Sequence, residues 1–314
     1  MRTFILFIIH TLFLFSEVRE VNITPSPKHH TFKHIKILDQ KELRFSSLAD
    51  KAFLGLSDVA YDVKSKKLYF VGDRGMLYLF NASFSDKIDR LCAKDAKFLK
   101  NKKGKVFRKW RQDAEGMVLD NKGRLLISFE GEAKIGWFHK NGKTIGKEIR
   151  RYTLPKALRK SKAYRSANKS LEALAYHPRY GILTAAEWPL KSSPTKRQTI
   201  YALSGKQWHF MSEPEAKSAV VAMEVMPDGN LLVLERSFNG LFAPFVITLK
   251  KVMIEGCKQK ICPSEVLLKM NNHKGWDVDN FEGLAHIEKN RYVMVSDDNG
   301  NFFQKTLLLY FEVR

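Results

Sequence analysis

An all-β fold, a propeller of five blades closed by an N-terminal strand, is what this 314-residue chain predicts, and three observations predict it. One short phrase recurs five times, strand-like runs follow every copy, and the last unit lacks an outer strand that the N-terminal end can supply. The phrase is an acidic residue, an apolar run, a polar turn, a second apolar run and a second acid. Asp58 leads to Asp73, Glu115 to Glu130, Glu172 to Glu187 and Glu282 to Asp297, each pair fifteen residues apart. The remaining copy, AMEVMPDGNLLVLE, ends on Glu235 but has Ala222 in the leading place and a span of thirteen. Positions 58, 115, 172, 222 and 282 are separated by 57, 57, 50 and 60 residues. Strand-rich repeats of that length belong to circular or stacked architectures.

Each copy reads as a β-hairpin. Leu68 to Val71, Leu125 to Phe129, Leu231 to Leu234 and Tyr292 to Val295 are short apolar runs, and turn formers such as Asn121-Lys122-Gly123 and Pro227-Asp228-Gly229 precede several of them. Runs that are apolar at every position suit strands buried on both faces. Further runs follow: Met76 to Phe80, Ala133 to His139, Thr199 to Leu203, Phe245 to Val252 and Thr306 to Val313. Four strands per unit is the content of a propeller blade. Thr31 to Leu43 is the segment expected to complete the last blade. A sixth blade that has lost the phrase, or an open β-sandwich array, are the alternatives.

An antiparallel hairpin brings the start of its first strand beside the end of its second. The acids of all blades therefore gather at one mouth of the central channel: Asp58, Asp73, Glu115, Glu130, Glu172, Glu187, Glu235, Glu282, Asp297 and Asp298, with Asp113 nearby. Crowded carboxylates repel and take raised pKa values unless cations sit among them. Arg74 and Arg236, each directly after an acid of the phrase, are candidate internal partners. A hard divalent cation with oxygen ligands, calcium above all, is the other solution. The alternative for each acid taken singly is a strand-end cap on the backbone amides of the next blade.

The charge is +21 and uneven. Lys100 to Arg111 carries seven basic residues in twelve, among them Lys102, Lys103, Arg108 and Arg111; Lys156 to Lys169 carries six more. Both stretches precede an innermost strand and so are expected to overhang the acidic mouth. A basic rim over an acidic centre suits an anionic small molecule or a polyanion. Nucleic acid is admitted by charge alone, but no nucleic-acid module stands in the sequence.

The first 20 residues read as a secretory signal: Arg2, then an apolar run from Phe4 to Phe15, too short to span a bilayer comfortably. An uncleaved anchor is the alternative. Residues 21–30 read as a linker and 31–314 as the propeller domain. A periplasmic or secreted location then allows Cys257 and Cys262, in GCKQKICP, to form a local disulfide, leaving Cys92 as an expected buried thiol. There is no GxSxG, no HExxH, no Gly-rich phosphate loop and no zinc spacing, so no catalytic triad or catalytic residue can be named. Oligomeric state is not legible.

The phrases SDVAYD, DAEGMVLD, SLEALAYHP, PDGNLLVLERSF and NFEGLA, with the ending VSDDNGNFFQKTLLLYFEV, together resemble the phytase-like family with esterase-like activity. The match runs from about residue 31 to the C-terminus. The family is bacterial and widely exported, and it is named for its similarity to β-propeller phytases, which use calcium in an acidic mouth to hydrolyse phosphate esters. The resemblance implies motif positions at Asp58, Glu115, Glu172, Glu235, Arg236, Glu282, Asp297 and Asp298; Ala222 departs from it. Two readings follow. One is an exported, calcium-assisted hydrolase of a phosphate ester or related ester. The other is a non-catalytic exported propeller that binds an anionic ligand or a protein at its mouth.

Overall fold

In the computed structural model, residues 17–166, 168–240, 243–301 and 303–314 are described. Five antiparallel sheets form five blades. Blade 1 comprises Leu56–Asp62, Lys67–Gly72, Met76–Phe84 and Ile88–Phe98. Blade 2 comprises Ala114–Leu119, Leu125–Phe129, Lys134–Phe138 and Glu148–Tyr152; blade 3, Leu171–His177, Gly181–Ala186, Arg197–Ala202 and Gln207–Met211. Blade 4 comprises Ala219–Val225, Leu231–Ser237, Val246–Val252 and Ser264–Asn271. Blade 5 holds Asn280–Glu288, Arg291–Asp297 and Leu307–Val313, completed from the other end of the chain by Ile35–Leu43. The innermost strands contact one another in sequence, and that of blade 5 returns to that of blade 1, so the ring is closed.

Ile35–Leu43 pairs antiparallel with Leu307–Val313, as the missing outer strand requires. Val18–Glu20 adds a fifth strand to the same sheet through Val18↔Leu43 and Glu20↔Lys41. The domain therefore begins earlier than residue 31. Residues 21–30 are packed rather than a free linker: Ile23 is buried, its N–H donates to Gln40 Oε1 (2.9 Å), and its carbonyl accepts from Asp277 N–H (3.0 Å). A signal ending at residue 20 overlaps the edge strand; residues 1–16, where the rest of that signal falls, lie outside the described residues. No described helix is long and apolar enough to cross a membrane.

The core is divided the way the ring is. Five apolar clusters lie one between each pair of neighbouring blades. Phe281, Tyr292 and Phe311 of blade 5, for instance, meet Val221, Leu234 and Ile247 of blade 4. Burial on both faces explains the unbroken apolar runs of the second strands. Cys257 and Cys262 are joined in a disulfide between the outer strands of blade 4. Cys92 is exposed, which corrects the expectation of a buried thiol: its outer strand in blade 1 has one face in solvent.

Candidate functional site: the acidic mouth

The site is built by a bulge repeated at the start of the innermost strands. In blade 3, Leu171 faces Ala186 but Ala173 faces Ala185, so Glu172 is the extra residue. The same shift makes Glu282 the extra residue of blade 5, and in blade 2 it falls at Glu115-Gly116. A bulge re-aims one side chain without disturbing the rest of the strand. Here it turns a glutamate into the mouth. The second-strand partner completes each corner. Glu130 N–H donates to Asp113 O (2.9 Å), Glu187 N–H to Ser170 O (3.0 Å) and Asp73 N–H to Gly55 O (3.0 Å), while Asp297 faces Asn280.

The same register corrects two expectations. In blade 1 the shift lies between Leu56 and Asp58, so Ser57 takes the bulge and Asp58 falls one residue out of phase. Asp58 is buried and turned between blades, where it accepts from Met117 N–H (2.6 Å), Leu284 N–H (2.9 Å) and Val59 N–H (2.8 Å). Burial pushes its pKa well up against those three donors, which favour the carboxylate. It fastens blade 1 to blades 2 and 5. In blade 4 the shift lies between Val220 and Ala222, so Val221, not Ala222, takes the bulge. Ala219 pairs with Arg236, which places Arg236 where the other blades carry Asp73, Glu130, Glu187 and Asp297. Glu235 faces the other way, toward Lys250 Nζ (3.0 Å), Ser218 Oγ (2.8 Å) and the N–H of Glu213 (2.8 Å).

The mouth is thus an acidic ring with one built-in guanidinium. Arg236 Nη1 reaches Glu282 Oε1 (2.7 Å) and Asn280 Oδ1 (2.6 Å), and Nη2 reaches Glu187 Oε1 (3.1 Å). Burial works against its charge, but Glu282, Glu187 and Glu172 hold the proton more firmly than usual. Lys169 Nζ meets Glu187 Oε2 at 2.6 Å. Sequence reasoning singled out neither Lys169 nor Asn280; the one legible signal was the position of Lys169 at the end of a basic stretch running into the mouth.

The carboxyls also face each other, in one group that includes the cation-paired Glu187 and one that does not. Ligand oxygens of Asp113, Glu115 and Glu130 all lie within 4.8 Å of one another, and so do those of Glu130, Glu172 and Glu187. Burial, then Glu187 and Asp113, raise Glu130 to about 8. Burial and Glu282 raise Asp297 to about 8 as well. Glu115 and Glu172 are pushed well up, first by burial and then by their acidic neighbours. Asp73 is raised by burial against Arg74, and its Oδ1 is buried without a hydrogen-bond partner. Asp298 is a fastener: Oδ1 accepts from Gly55 N–H (2.9 Å) in blade 1, and Oδ2 from Thr306 Oγ1 (3.1 Å).

Arg108 and Arg111 flank Trp110, whose carbonyl presses on Gly131 beside Glu130; a Cβ at Gly131 would collide with it. The Arg111 carbonyl is held by Lys134 Nζ (2.8 Å). Lys102 and Lys103 stand in the turn ordered by Asn101 Oδ1, which accepts from Lys103 N–H (2.9 Å) and Lys105 N–H (3.1 Å). Among the described residues none of these four cations pairs with a mouth carboxylate. Calcium takes oxygen ligands at about 2.3–2.6 Å, so ligand oxygens around one ion lie up to about 5 Å apart. Both carboxylate triads fit that spacing.

A family model described as "Phytase-like: Esterase-like activity of phytase" matches residues 51–300. No curated protein matches. Among solved structures, the β-propeller domain of Cps50 (Swd1) from Myceliophteria thermophila is similar at 11% identity and a TM-score of 0.44, over 89% of this chain and 92% of that one. A structural genomics protein of unknown function from Bacteroides thetaiotaomicron VPI-5482 is similar at 11% identity and a TM-score of 0.47, over 83% of this chain and 60% of that one.

Proposed function

This chain belongs to the phytase-like family, and from that premise we propose that it is an exported hydrolase of a phosphate ester or related ester, assisted by calcium at the mouth. The observation that carries the reading is the pair of carboxylate triads sharing Glu130, with Lys169 and Arg236 on their flank. Asp113, Glu115 and Glu130 would hold the ion, which would supply charge neutralisation and an activated water when bound. Arg236 is fixed by Glu187, Glu282 and Asn280, so it meets a substrate oxygen without first having to be ordered. Lys169 lies beside it as a second anion contact. Asp297 Oδ1 accepts from Asn299 N–H (2.7 Å), and burial and Glu282 raise its pKa to about 8, so it would serve as proton donor to a departing alkoxide.

The test is hydrolysis of p-nitrophenyl phosphate and p-nitrophenyl acetate by purified protein, with calcium or with chelator, alongside thermal melts. Calcium is expected to raise the melting temperature in proportion to the logarithm of its concentration above the dissociation constant. Glu115→Gln with Glu130→Gln is expected to abolish both that shift and calcium-dependent turnover. A calcium shift without turnover of either ester leaves the second reading, an anion-binding propeller. The leading apolar run and the Cys257–Cys262 bridge support a periplasmic or secreted location. A count of three free thiols on unreduced protein from that compartment would contradict it.

A further inference from the structure

Arg236 and Asn280, which tie Glu187 and Glu282 together at the mouth, also form the inner wall of a second space. This is a cleft of ≈ 730 Å³ between blades 4 and 5, opening outward from the mouth. Its lining is mixed, with Asp277, Asp279, Asn301 and Lys305 among the polar residues and a group of apolar side chains beside them. Phe238, Phe245, Val278 and Phe303 line it, and Phe238 and Phe303 are 48% and 87% exposed. Scattered exposed apolar residues need no explanation, but apolar side chains facing one concave space beside a polar site do.

Both walls are built. Phe238 and Phe245 meet edge to face with ring centroids 5.6 Å apart, and Phe245 N–H donates to Asn272 Oδ1 (2.9 Å). Opposite, the turn that presents Phe303 is pinned to Asp277–Asp279. Gln304 Nε2 donates to Asp279 Oδ1 (3.0 Å), Lys305 N–H to Asp279 Oδ2 (2.6 Å), and Lys305 Nζ to Asp277 Oδ2 (2.9 Å). Asn299 Nδ2 adds a bond to Gln304 Oε1 (3.1 Å). The Phe238–Phe245 pair is therefore held beside the cleft, and the stretch just after Phe303 is anchored to Asp277–Asp279.

We infer that this cleft is the subsite for an aromatic arm of the substrate, so that the ester has its anionic group at Arg236 and an aryl group between Phe238, Phe245 and Phe303. The inference deepens the hydrolase reading and rests on it. A small, uniformly charged polyol phosphate gains nothing from such walls; an aryl ester buries its ring there while its phosphate stays at the acidic mouth. Pockets of this kind combine apolar lining with a few fixed polar groups, and the polar groups at the inner end, Arg236 and Asn280, are those already placed at the mouth.

The experiment uses non-hydrolysable probes. Calorimetry in the presence of calcium compares 1-naphthylphosphonate with methylphosphonate on the wild type, on Phe238→Ala with Phe245→Ala, and on Phe303→Ser. The wild type is expected to bind the naphthyl probe at least about tenfold more tightly, the worth of a partly buried ring. Either variant is expected to bring the ratio to within about threefold, with the melting temperature of Phe303→Ser unchanged. Equal affinity of the wild type for the two probes, binding of neither, or a ratio untouched in both variants overturns the inference. Turnover of 1-naphthyl phosphate is followed separately. Naphthyl preference without turnover sinks the hydrolase reading and leaves the cleft; turnover without preference does the reverse.

Discussion

Blades 3 and 4 are neighbours with the same hairpin and the same bulge, yet they present opposite charge to the mouth. Blade 3 offers Glu172 from the bulge and Glu187 from the second strand; blade 4 offers Val221 and Arg236 from the matching places. The guanidinium then bonds to Glu187 of blade 3 and Glu282 of blade 5. One blade out of phase in charge thus neutralises its two neighbours. Among the described residues, the carboxyls of blades 1 and 2 have no such partner built into the strands; Arg74 and Lys169 act on them from outside the strands. The asymmetry is the ground for proposing a cation on the side of Asp113, Glu115 and Glu130 and an anion on the side of Arg236.

The sharpest way to break that comparison is Arg236→Met. Removing one partner of a buried ion pair leaves uncompensated charge and costs about 3–5 kcal/mol. Urea melts are expected to show that loss at pH 8 and clearly less at pH 5, where Glu282, raised by burial and freed of Arg236, can take up a proton. An equal loss at both values would mean that Arg236 acts by packing alone.

Asp58→Ala comes next. It strands the N–H groups of Met117, Leu284 and Val59, at about 1–3 kcal/mol for groups left unsatisfied in the interior. The loss is expected to be the same with and without calcium, because Asp58 faces the blade seams. A calcium-dependent loss would return Asp58 to the ligand set.

Wild-type stability without calcium is expected to fall by several kcal/mol between pH 5 and pH 8. The sign follows from Glu130 and Asp297, raised from 4.5 and 3.8 to about 8. Between the unfolded and folded values the folded protein binds more protons, so folding is favoured at low pH and weakens as pH rises, levelling above about 8. Calcium needs the deprotonated carboxylates, so its stabilisation is expected to grow across the same window. Metal-free melts that improve toward pH 8 would overturn this picture.

Two smaller effects sharpen it. Glu115→Gln removes one member of the crowded triad and is expected to leave metal-free protein as stable as wild type or up to about 1 kcal/mol more stable. Lys102→Ala with Lys103→Ala is expected to stay within about 0.5 kcal/mol, as for other exposed side chains. A larger loss would show that this turn braces the mouth.

The period of the phrase, the unbroken apolar strands and the missing outer strand made the fold legible, down to the partner of Leu307–Val313. The acids of blades 2, 3 and 5 were legible for the same reason: bulge and second-strand end are fifteen residues apart in each, so the motif and the geometry coincide. Lys169 was not, because a lysine inside a basic loop carries no mark of where its Nζ points. Nor was the aromatic cleft, whose walls include Phe238, Phe245 and Phe303, distant in sequence and brought together only where blades 4 and 5 meet.

By itself, then, the sequence pointed to the ring and to the end of the channel where carboxylates collect, and its repeat counted five blades while leaving a sixth open, which the structure settles at five. Register was left to the tertiary structure. The hairpin turns differ in length, with Val63 to Lys66 in blade 1, Pro178 to Tyr180 in blade 3 and Met226 to Asn230 in blade 4. An acid aligned by motif can therefore be one residue out of phase with its bulge. Side chains on a strand alternate between faces, so one residue is enough to reverse a role. That single step turned Asp58 and Glu235 away from the mouth and put Arg236 into it.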